Sequence, residues 1–159
     1  MQPNVITTPA NDTARRSKSL IDFCYMIRRK YVSLDLLSTE DLATKYRRFF
    51  KLPLILNDDD IIKHCHQLGV KEFIRLPLPL PMTAYNQDYK GDIRLYVNSS
   101  QWPGIHALAT FHEAYEILER RFAAIYKEFK QLKGAALESK ANKFGSCIVL
   151  PTENSINIP

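Results

Sequence analysis

The segment from Thr110 to Glu116 carries residue types that can hold a metal ion. His112 and Glu116 are four positions apart, so on a helix they stand one turn apart on the same face. Glu113 follows His112 directly, which is the place of the general base beside a metal-held water molecule in an H-E-x-x-H helix. A His-Glu pair followed by Glu also occurs by chance on solvated helices, so the H-E-x-x-E spacing alone is a weak signal.

Apolar residues surround this motif along the predicted helix. A histidine and two carboxylates at the edge of an apolar helix need partners, and either a metal ion or hydrogen bonds within the core can supply them. The apolar residues are Ile105, Leu108, Ala109, Phe111, Tyr115, Leu118 and Phe122.

A second segment downstream of the motif makes the pattern more specific. A glutamate stands three residues before an Ala-Asn pair, an aromatic residue follows, and an apolar stretch ends in Leu-Pro. This arrangement resembles the second signature of the ImmA/IrrE family of metallopeptidases, and the upstream order of a strand, Asn-Ser and a His-Glu helix is also similar to that family. The resemblance covers roughly residues 61 to 151. The matching residues of the second segment are Glu138, Ala141, Asn142, Phe144, Leu150 and Pro151.

The resemblance implies a zinc site with His112, Glu116 and Glu138 as ligands. Glu113 would be the catalytic base, which takes a proton from water and passes it to the leaving amine. The family commonly has histidine where this chain has Glu116. A His/Glu/Glu set is harder and more anionic than His/His/Glu, and oxygen-rich sites drift toward divalent ions other than zinc. The departure puts zinc affinity and catalytic rate in doubt, and leaves the fold expectation unchanged.

The segment Asp92 to Asn98 alternates between apolar and polar residues, as a half-exposed strand does. We expect it to be the edge strand of the cleft, where an extended substrate adds as a further strand. Its polar face, Arg94, Tyr96 and Asn98, is the predicted substrate-binding surface.

An oxyanion donor is also required, and the sequence leaves it open among Tyr115, Tyr96 and His106. Core packing is the main alternative for Tyr115, and a cap or surface position is the alternative for His106. His64 and His66 flank Cys65, but residues two apart on a helix point in divergent directions, so a metal role there is not expected.

The predicted fold is α+β and zincin-like, mostly helical, with a small antiparallel or mixed sheet whose edge strand precedes the active-site helix. Residues 1–16 are expected to be a flexible tail and residues 17–159 a single domain. Three helices come first, and a proline-rich extended segment from Leu76 to Met82 separates two strands. The predicted elements are a helix capped by Ser17 or Ser19 and ending near Tyr31, helices after Ser38 and from Asn57 to Gly69, a strand at Lys71–Leu76, a turn at Gln87–Gly91, the strand Asp92–Asn98, a helix from Gly104 to about Lys133, with a break within it left open, and a helix from Ala135 to about Val149.

Composition bounds the class of protein. The chain has 159 residues, 45% of them hydrophobic and 25% charged, which is typical of a globular protein with one sizeable core. The net charge of +5 is modest and spread along the chain, so no direct nucleic-acid partner is expected. Three distant cysteines favour reduced thiols. The sequence shows no signal-peptide stretch and no run of about 18 apolar residues, so we expect a cytoplasmic protein that does not enter a membrane.

Two functions remain open at this point, with a weaker third. The resemblance implies a cytosolic zinc-dependent peptidase that cuts a protein substrate, such as a DNA-binding repressor in a stress response. The alternative is a catalytically impaired relative that acts as a binding or regulatory module. A helical structural domain with an accidental H-E-x-x-E is the third.

Overall fold

The computed structural model describes residues 2–7, 18–31 and 34–151. Within these ranges the chain forms five α-helices, a short 3₁₀ turn at Leu34–Leu36 and one four-stranded sheet. The prediction of an α+β fold with mostly helical content and a small mixed sheet is therefore confirmed. In chain order the elements are β1 (Asn4–Thr7), α1 (Leu20–Tyr31), α2 (Thr39–Phe50), α3 (Asp58–Gln67), β2 (Val70–Leu76), β3 (Ala84–Tyr89), β4 (Asp92–Asn98), α4 (Pro103–Ile125) and α5 (Gly134–Val149).

The starts of α2 and α3 follow from side-chain caps. The Ser38 hydroxyl accepts a hydrogen bond from the backbone N–H of Asp41 at 3.1 Å. Asn57 and Asp60 form a reciprocal capping box, in which each side chain accepts from the other residue's backbone N–H. Gly69 follows α3 with a φ of 82°, a left-handed conformation that glycine adopts without a steric penalty. These helix boundaries were predicted correctly.

The sheet has the order β1-β2-β4-β3. The two central strands, β2 and β4, are parallel, while β3 pairs with β4 and β1 pairs with β2 in antiparallel fashion. Two predictions were wrong here. The strand β4 is not an edge strand, because β3 lies outside it, and the predicted turn at Gln87–Gly91 is mostly strand. The chain reverses through Lys90 and Gly91, both with positive φ, as a two-residue hairpin turn requires.

The N-terminal segment departs from the predicted flexible tail. Asn4–Thr7 form β1 and pair with Glu72–Arg75 of β2, so this part of the tail is ordered in the sheet. The remainder of the predicted tail, Met1 and residues 8–16, lies outside the described residues, as do residues 152–159.

The helix that carries the motif ends earlier than predicted. It stops at Ile125, and residues 126–133 form a connection to α5 rather than further helix. Glu119 of α4 is fully buried and accepts a hydrogen bond from the backbone N–H of Leu132, which fixes this connection against the helix. This contact holds the connection between α4 and α5 against α4.

One buried cluster contains residues of all five helices and of strands β2 and β4. Helix α4 runs through it: Phe111, Tyr115, Leu118 and Phe122 belong to the cluster, whereas Ile105 and Leu108 are only half-buried. Within the described ranges, no helix combines the length and the apolar character needed to cross a bilayer. The largest fully buried side chains include Phe23, Tyr46, Phe73, Phe111, Phe122 and Phe144.

Candidate metal centre

His112, Glu116 and Glu138 converge at the junction of α4 and α5. The His112 Nε2 atom lies 3.5 Å from Glu116 Oε1 and 3.4 Å from Glu138 Oε2. The three candidate ligand atoms all lie within 4.8 Å of one another. Two ligands held at about 2.1 Å from a tetrahedral ion are about 3.4 Å apart. The two distances from His112 therefore match those of a metal centre.

The tautomer of His112 is fixed from its other side. Its Nδ1 atom lies 2.8 Å from the Asn142 Oδ1 atom, so the Nδ1–H donates to this amide oxygen. Nε2 is then the ring atom that faces the two carboxylates, and once deprotonated it could offer its lone pair to an ion. Metal-ligating histidines are generally oriented in this manner, with the second ring nitrogen bonded to an oxygen of the protein.

Three residues on one face of α5 position this arrangement. Glu138, Asn142 and Gly145 are four and three residues apart, so they lie along the side that faces α4. A Cβ atom at Gly145 would lie 3.0 Å from the Leu108 carbonyl oxygen and 3.2 Å from the His112 nitrogen. The absence of a side chain at this position is what allows α5 to approach α4 beside His112.

Glu113 has the properties of a base that works near neutral pH. It is buried and accepts a hydrogen bond from the Asn86 side-chain amide at 2.5 Å. Burial raises the pKa of Glu113 to about 7, although the Asn86 hydrogen bond opposes the rise. A carboxyl group with this pKa can both accept and return a proton at neutral pH.

In the absence of a metal ion, a proton on His112 joins the three candidate ligands. The hydrogen bond to Glu116 raises the pKa of His112 to about 9, with Asn142 and the neighbouring carboxylates adding to the effect against burial. The same hydrogen bond lowers the pKa of Glu116. The metal-free site is therefore an imidazolium between two carboxylates, and a metal ion must displace its proton.

The three candidate metal ligands line a cleft of about 350 Å³. The segment from Pro81 to Asn86, which ends in strand β3, forms one wall. Helices α4 and α5 form the other, with His112, Glu113, Glu116, Glu138 and Asn142. An extended edge strand thus runs beside the candidate metal ligands, and the strand is β3 rather than the predicted β4.

Three polar residues that the sequence interpretation missed connect β3 to α4. The Asn86 Nδ2 atom donates to Glu113 and, at 3.3 Å, to Glu116 Oε2. Arg120 donates to Asn86 Oδ1 at 2.6 Å and to Asp88 Oδ2 at 3.2 Å. Asp88 was assigned to a turn and Asn86 to no element, and the usable signal was the hairpin turn at Lys90–Gly91, which predicts a strand before it.

The structure does not bring two of the predicted substrate-binding residues to the cleft. Arg94 and Tyr96 alternate with the buried Ile93 and Leu95, so they project from the sheet face opposite α4. Arg94 forms a 2.8 Å ion pair with Glu72. Tyr96 donates to Gln87 at 3.1 Å and stacks on Tyr85, so its hydroxyl is also directed away from the ligands.

The third predicted substrate-binding residue, Asn98, is fully buried and supports the cleft wall from within. Its amide donates to the Met82 carbonyl oxygen at 2.8 Å and to that of Leu78 at 3.2 Å. Its Oδ1 atom accepts from the backbone N–H groups of Leu78 and Ser100. Asn98 therefore holds the proline-rich segment in place and does not itself face the cleft.

The proposed oxyanion donors are likewise placed elsewhere. Tyr115 is buried, and burial together with the adjacent Glu119 carboxylate raises its pKa well above the usual range. His106 is buried, and its Nε2 atom bonds the Asn98 carbonyl oxygen at 3.1 Å. Neither side chain lines the cleft. His64 bonds Tyr46 and Gln67 inside the core, consistent with the expectation that it holds no metal.

Comparison of the chain with protein-family models, with curated proteins and with solved structures found no match. The site must therefore be judged on its own geometry and chemistry.

Proposed function

We propose that this protein is a metal-dependent peptidase whose site is formed by His112, Glu113, Glu116 and Glu138. The observation that carries the proposal is the position of His112 Nε2, 3.4–3.5 Å from one oxygen of each ligand carboxylate, with its tautomer set by Asn142. Zinc is the expected ion, and the two carboxylates also suit other divalent ions.

The chain's own residues supply the remaining parts of the reaction. A bound divalent ion would lower the pKa of a water molecule and polarise the scissile carbonyl group. Glu113, which is buried beside His112 and hydrogen-bonded to Asn86, would accept a proton from the attacking water and return it to the leaving amine. Strand β3, the outermost strand on its side of the sheet among the described residues, would pair with an extended peptide, which would place a peptide bond between that strand and the ligands.

The substrate in this proposal is a protein segment in extended conformation, cut in the cytoplasm. The two sequence segments resemble those of ImmA/IrrE peptidases, which have a zincin-like fold. This resemblance favours a DNA-binding repressor as that substrate. The cleft is open to solvent on the side of Glu138, whose side chain is 59% exposed, so a peptide chain can reach the ligands.

A second function, a non-catalytic binding module, has one observation in its favour. The imidazolium of His112 between the two carboxylates satisfies the site without a metal ion, because the pKa of His112 is raised to about 9. Such a protein would keep the fold and the cleft but would take up no metal.

Metal analysis separates the two functions. The wild-type protein, dialysed against buffer with a slight excess of zinc and then passed through a desalting column, should retain close to one zinc ion per chain. His112→Ala should reduce the retained zinc strongly, whereas His66→Ala, a change at an exposed histidine of α3, should not. A folded wild-type protein that retains neither zinc, manganese nor cobalt would refute the peptidase proposal and favour the binding module.

A further inference from the structure

The two oxygens of Glu116 have different partners. Oε1 lies 3.5 Å from His112 Nε2, on the side of the metal centre. Oε2 lies 3.3 Å from the Asn86 side-chain nitrogen, on the side of strand β3. One oxygen is therefore directed at the metal position while the other is bound by the edge strand.

Arg120 determines which end of the Asn86 amide faces Glu116. The guanidinium donates to Asn86 Oδ1 at 2.6 Å and also to Asp88 Oδ2, two residues further along β3. Because a guanidinium has only donors, the Asn86 oxygen must point to Arg120 and its NH₂ group to the carboxylates. Both donors of that NH₂ group are used, one on Glu113 and one on Glu116.

The chemistry of this outer contact suits glutamate as the ligand and would not suit histidine. A histidine ligand presents an N–H on the side away from the metal, and that N–H needs an acceptor. A glutamate ligand presents a second oxygen, which needs a donor. The Asn86 amide, fixed by Arg120, offers donors only.

We propose that Asn86, oriented by Arg120, is a positioning residue that holds Glu116 as a one-oxygen metal ligand and so adapts the site to glutamate at this position. The inference rests on the proposed metal centre. Under this proposal residue 86 of β3 and residue 116 of α4 are coupled. The hydrogen-bonding group at position 86 must match the ligand type at position 116.

A double-mutant cycle on metal affinity tests this coupling. Zinc affinity is measured by competition with a chromophoric chelator for the wild-type protein, Asn86→Ala, Glu116→His and the double variant. Asn86→Ala should weaken zinc binding by about 10- to 100-fold in the wild-type background, the usual cost of losing an outer-shell partner. In the Glu116→His background the same change should alter affinity less than about threefold, because the hydrogen bond from Asn86 to residue 116 is already absent there, while the one to Glu113, which is not a ligand, is lost in both backgrounds.

The variant Asn86→Asp distinguishes positioning of Glu116 from a merely structural role of Asn86. Beside Glu116 the new carboxylate has no hydrogen to donate to Glu113 or Glu116 and repels both, so Glu116 is no longer held in place and zinc affinity should fall. Beside the histidine of the Glu116→His variant, it can accept the outward N–H, so affinity should rise or hold. Gln87→Ala, a change on the opposite face of β3, should affect neither background.

The outcomes separate the inference from the function on which it rests. Equal losses in both backgrounds, with circular dichroism showing folded proteins, would mean that Asn86 only anchors the strand, and would overturn the inference while the metal centre stands. If Asn86→Ala fails to fold, the test is carried by Asn86→Asp, which should lower zinc affinity beside Glu116 and should not lower it beside a histidine at position 116. A wild-type protein that binds no metal would overturn both.

Discussion

Glu113 is the residue whose role can be isolated most cleanly from metal binding. Glu113→Gln keeps the side-chain length and an oxygen that accepts from Asn86, but it removes the basic carboxylate. We expect turnover of an unfolded protein substrate to fall by about 10²- to 10⁴-fold while zinc content stays unchanged. Peptide release and metal analysis on the same sample measure both.

The control for Glu113→Gln is the same substitution at Glu128, whose side chain is 65% exposed and pairs with Arg28. That variant should retain wild-type turnover. If Glu113→Gln retained it as well, the base would have to be another group.

The protonation of His112 should make metal affinity depend on pH. Its Nε2 proton must leave before a metal can bind, and its pKa in the metal-free protein is raised to about 9 by the hydrogen bond to Glu116. Below that pKa, affinity should therefore rise about tenfold for each pH unit between pH 6 and pH 8. Chelator competition at several pH values, corrected for the chelator's own protonation, measures this slope. A flat profile would show that metal binding releases no proton from His112 in this pH range.

At the scale of residues, the sequence predicts His112 and Glu116 together, because helical spacing alone puts them on one face. It predicts Glu138 only through the resemblance, since no local pattern shows that α5 returns to α4. Asn86 was not found, because a lone asparagine carries no periodic signal and the second half of its strand, from Gln87 onward, was interpreted as a turn. The same limit explains Tyr115: the sequence does not show that its hydroxyl is directed toward Glu119 and the core.

At the scale of elements, the spacing between α4 and α5 sets the positions of the proposed metal ligands relative to one another. In Gly145→Ala, the added Cβ would lie 3.0 Å from the Leu108 carbonyl oxygen, which belongs to the helix backbone and yields little. We expect the helices to separate by a few tenths of an ångström beside His112, and zinc affinity to fall by about tenfold, the lower end of the cost for disturbing ligand support. Chelator competition measures the loss.

Ser139→Ala is the matched control for Gly145→Ala. It changes an exposed residue of α5 next to Glu138 and also ends in alanine. Because alanine favours helix over both glycine and serine, a gain in helix stability is common to the two variants. Equal zinc affinity in both would show that the close approach at Gly145 does not position the ligands.

The strand elements show why sheet order was hard to predict. The alternation in β4 predicts a strand correctly, but alternation does not distinguish an edge strand from a neighbour of one. Strand β3, which was not predicted, carries Tyr85, Gln87 and Tyr89 on one face and Ala84, Asn86 and Asp88 on the other. Since both faces contain polar residues, the pattern has no apolar period, and only the turn at Lys90–Gly91 marks the hairpin.

At the scale of the whole molecule, the helices that lie outside the two sequence segments support the back of the motif helix. His64 of α3 stacks on Phe111, the neighbour of His112, with the ring centroids 5.4 Å apart. Tyr46 of α2 bonds His64 and packs edge-on against Phe144 of α5. The N-terminal helices, which are generic in sequence, thus form the support against which the two ligand helices are held.

His64 makes the stability of this core depend on pH. It is 1% exposed, both ring nitrogens are hydrogen-bonded, and burial lowers its pKa to about 4, from about 6.5 when unfolded. Between these values the unfolded chain binds the extra proton, so the contribution of His64 is complete above pH 6.5 and is lost toward pH 4. The loss amounts to about 3 kcal/mol at 1.36 kcal/mol per pKa unit.

Glu113 acts in the opposite direction in the metal-free protein, because its pKa is raised to about 7 by burial and its protonation on acidification favours the folded state. A comparison of wild type with His64→Gln cancels this contribution, since both proteins contain Glu113. Urea denaturation of the metal-free proteins at pH 7, 6, 5 and 4.5 should show the wild type losing its advantage over His64→Gln as pH falls. His66→Gln, at the exposed neighbour, should leave most of that dependence in place. A difference between wild type and His64→Gln that stays constant across this range would mean that His64 is already protonated in the core or remains neutral in both states.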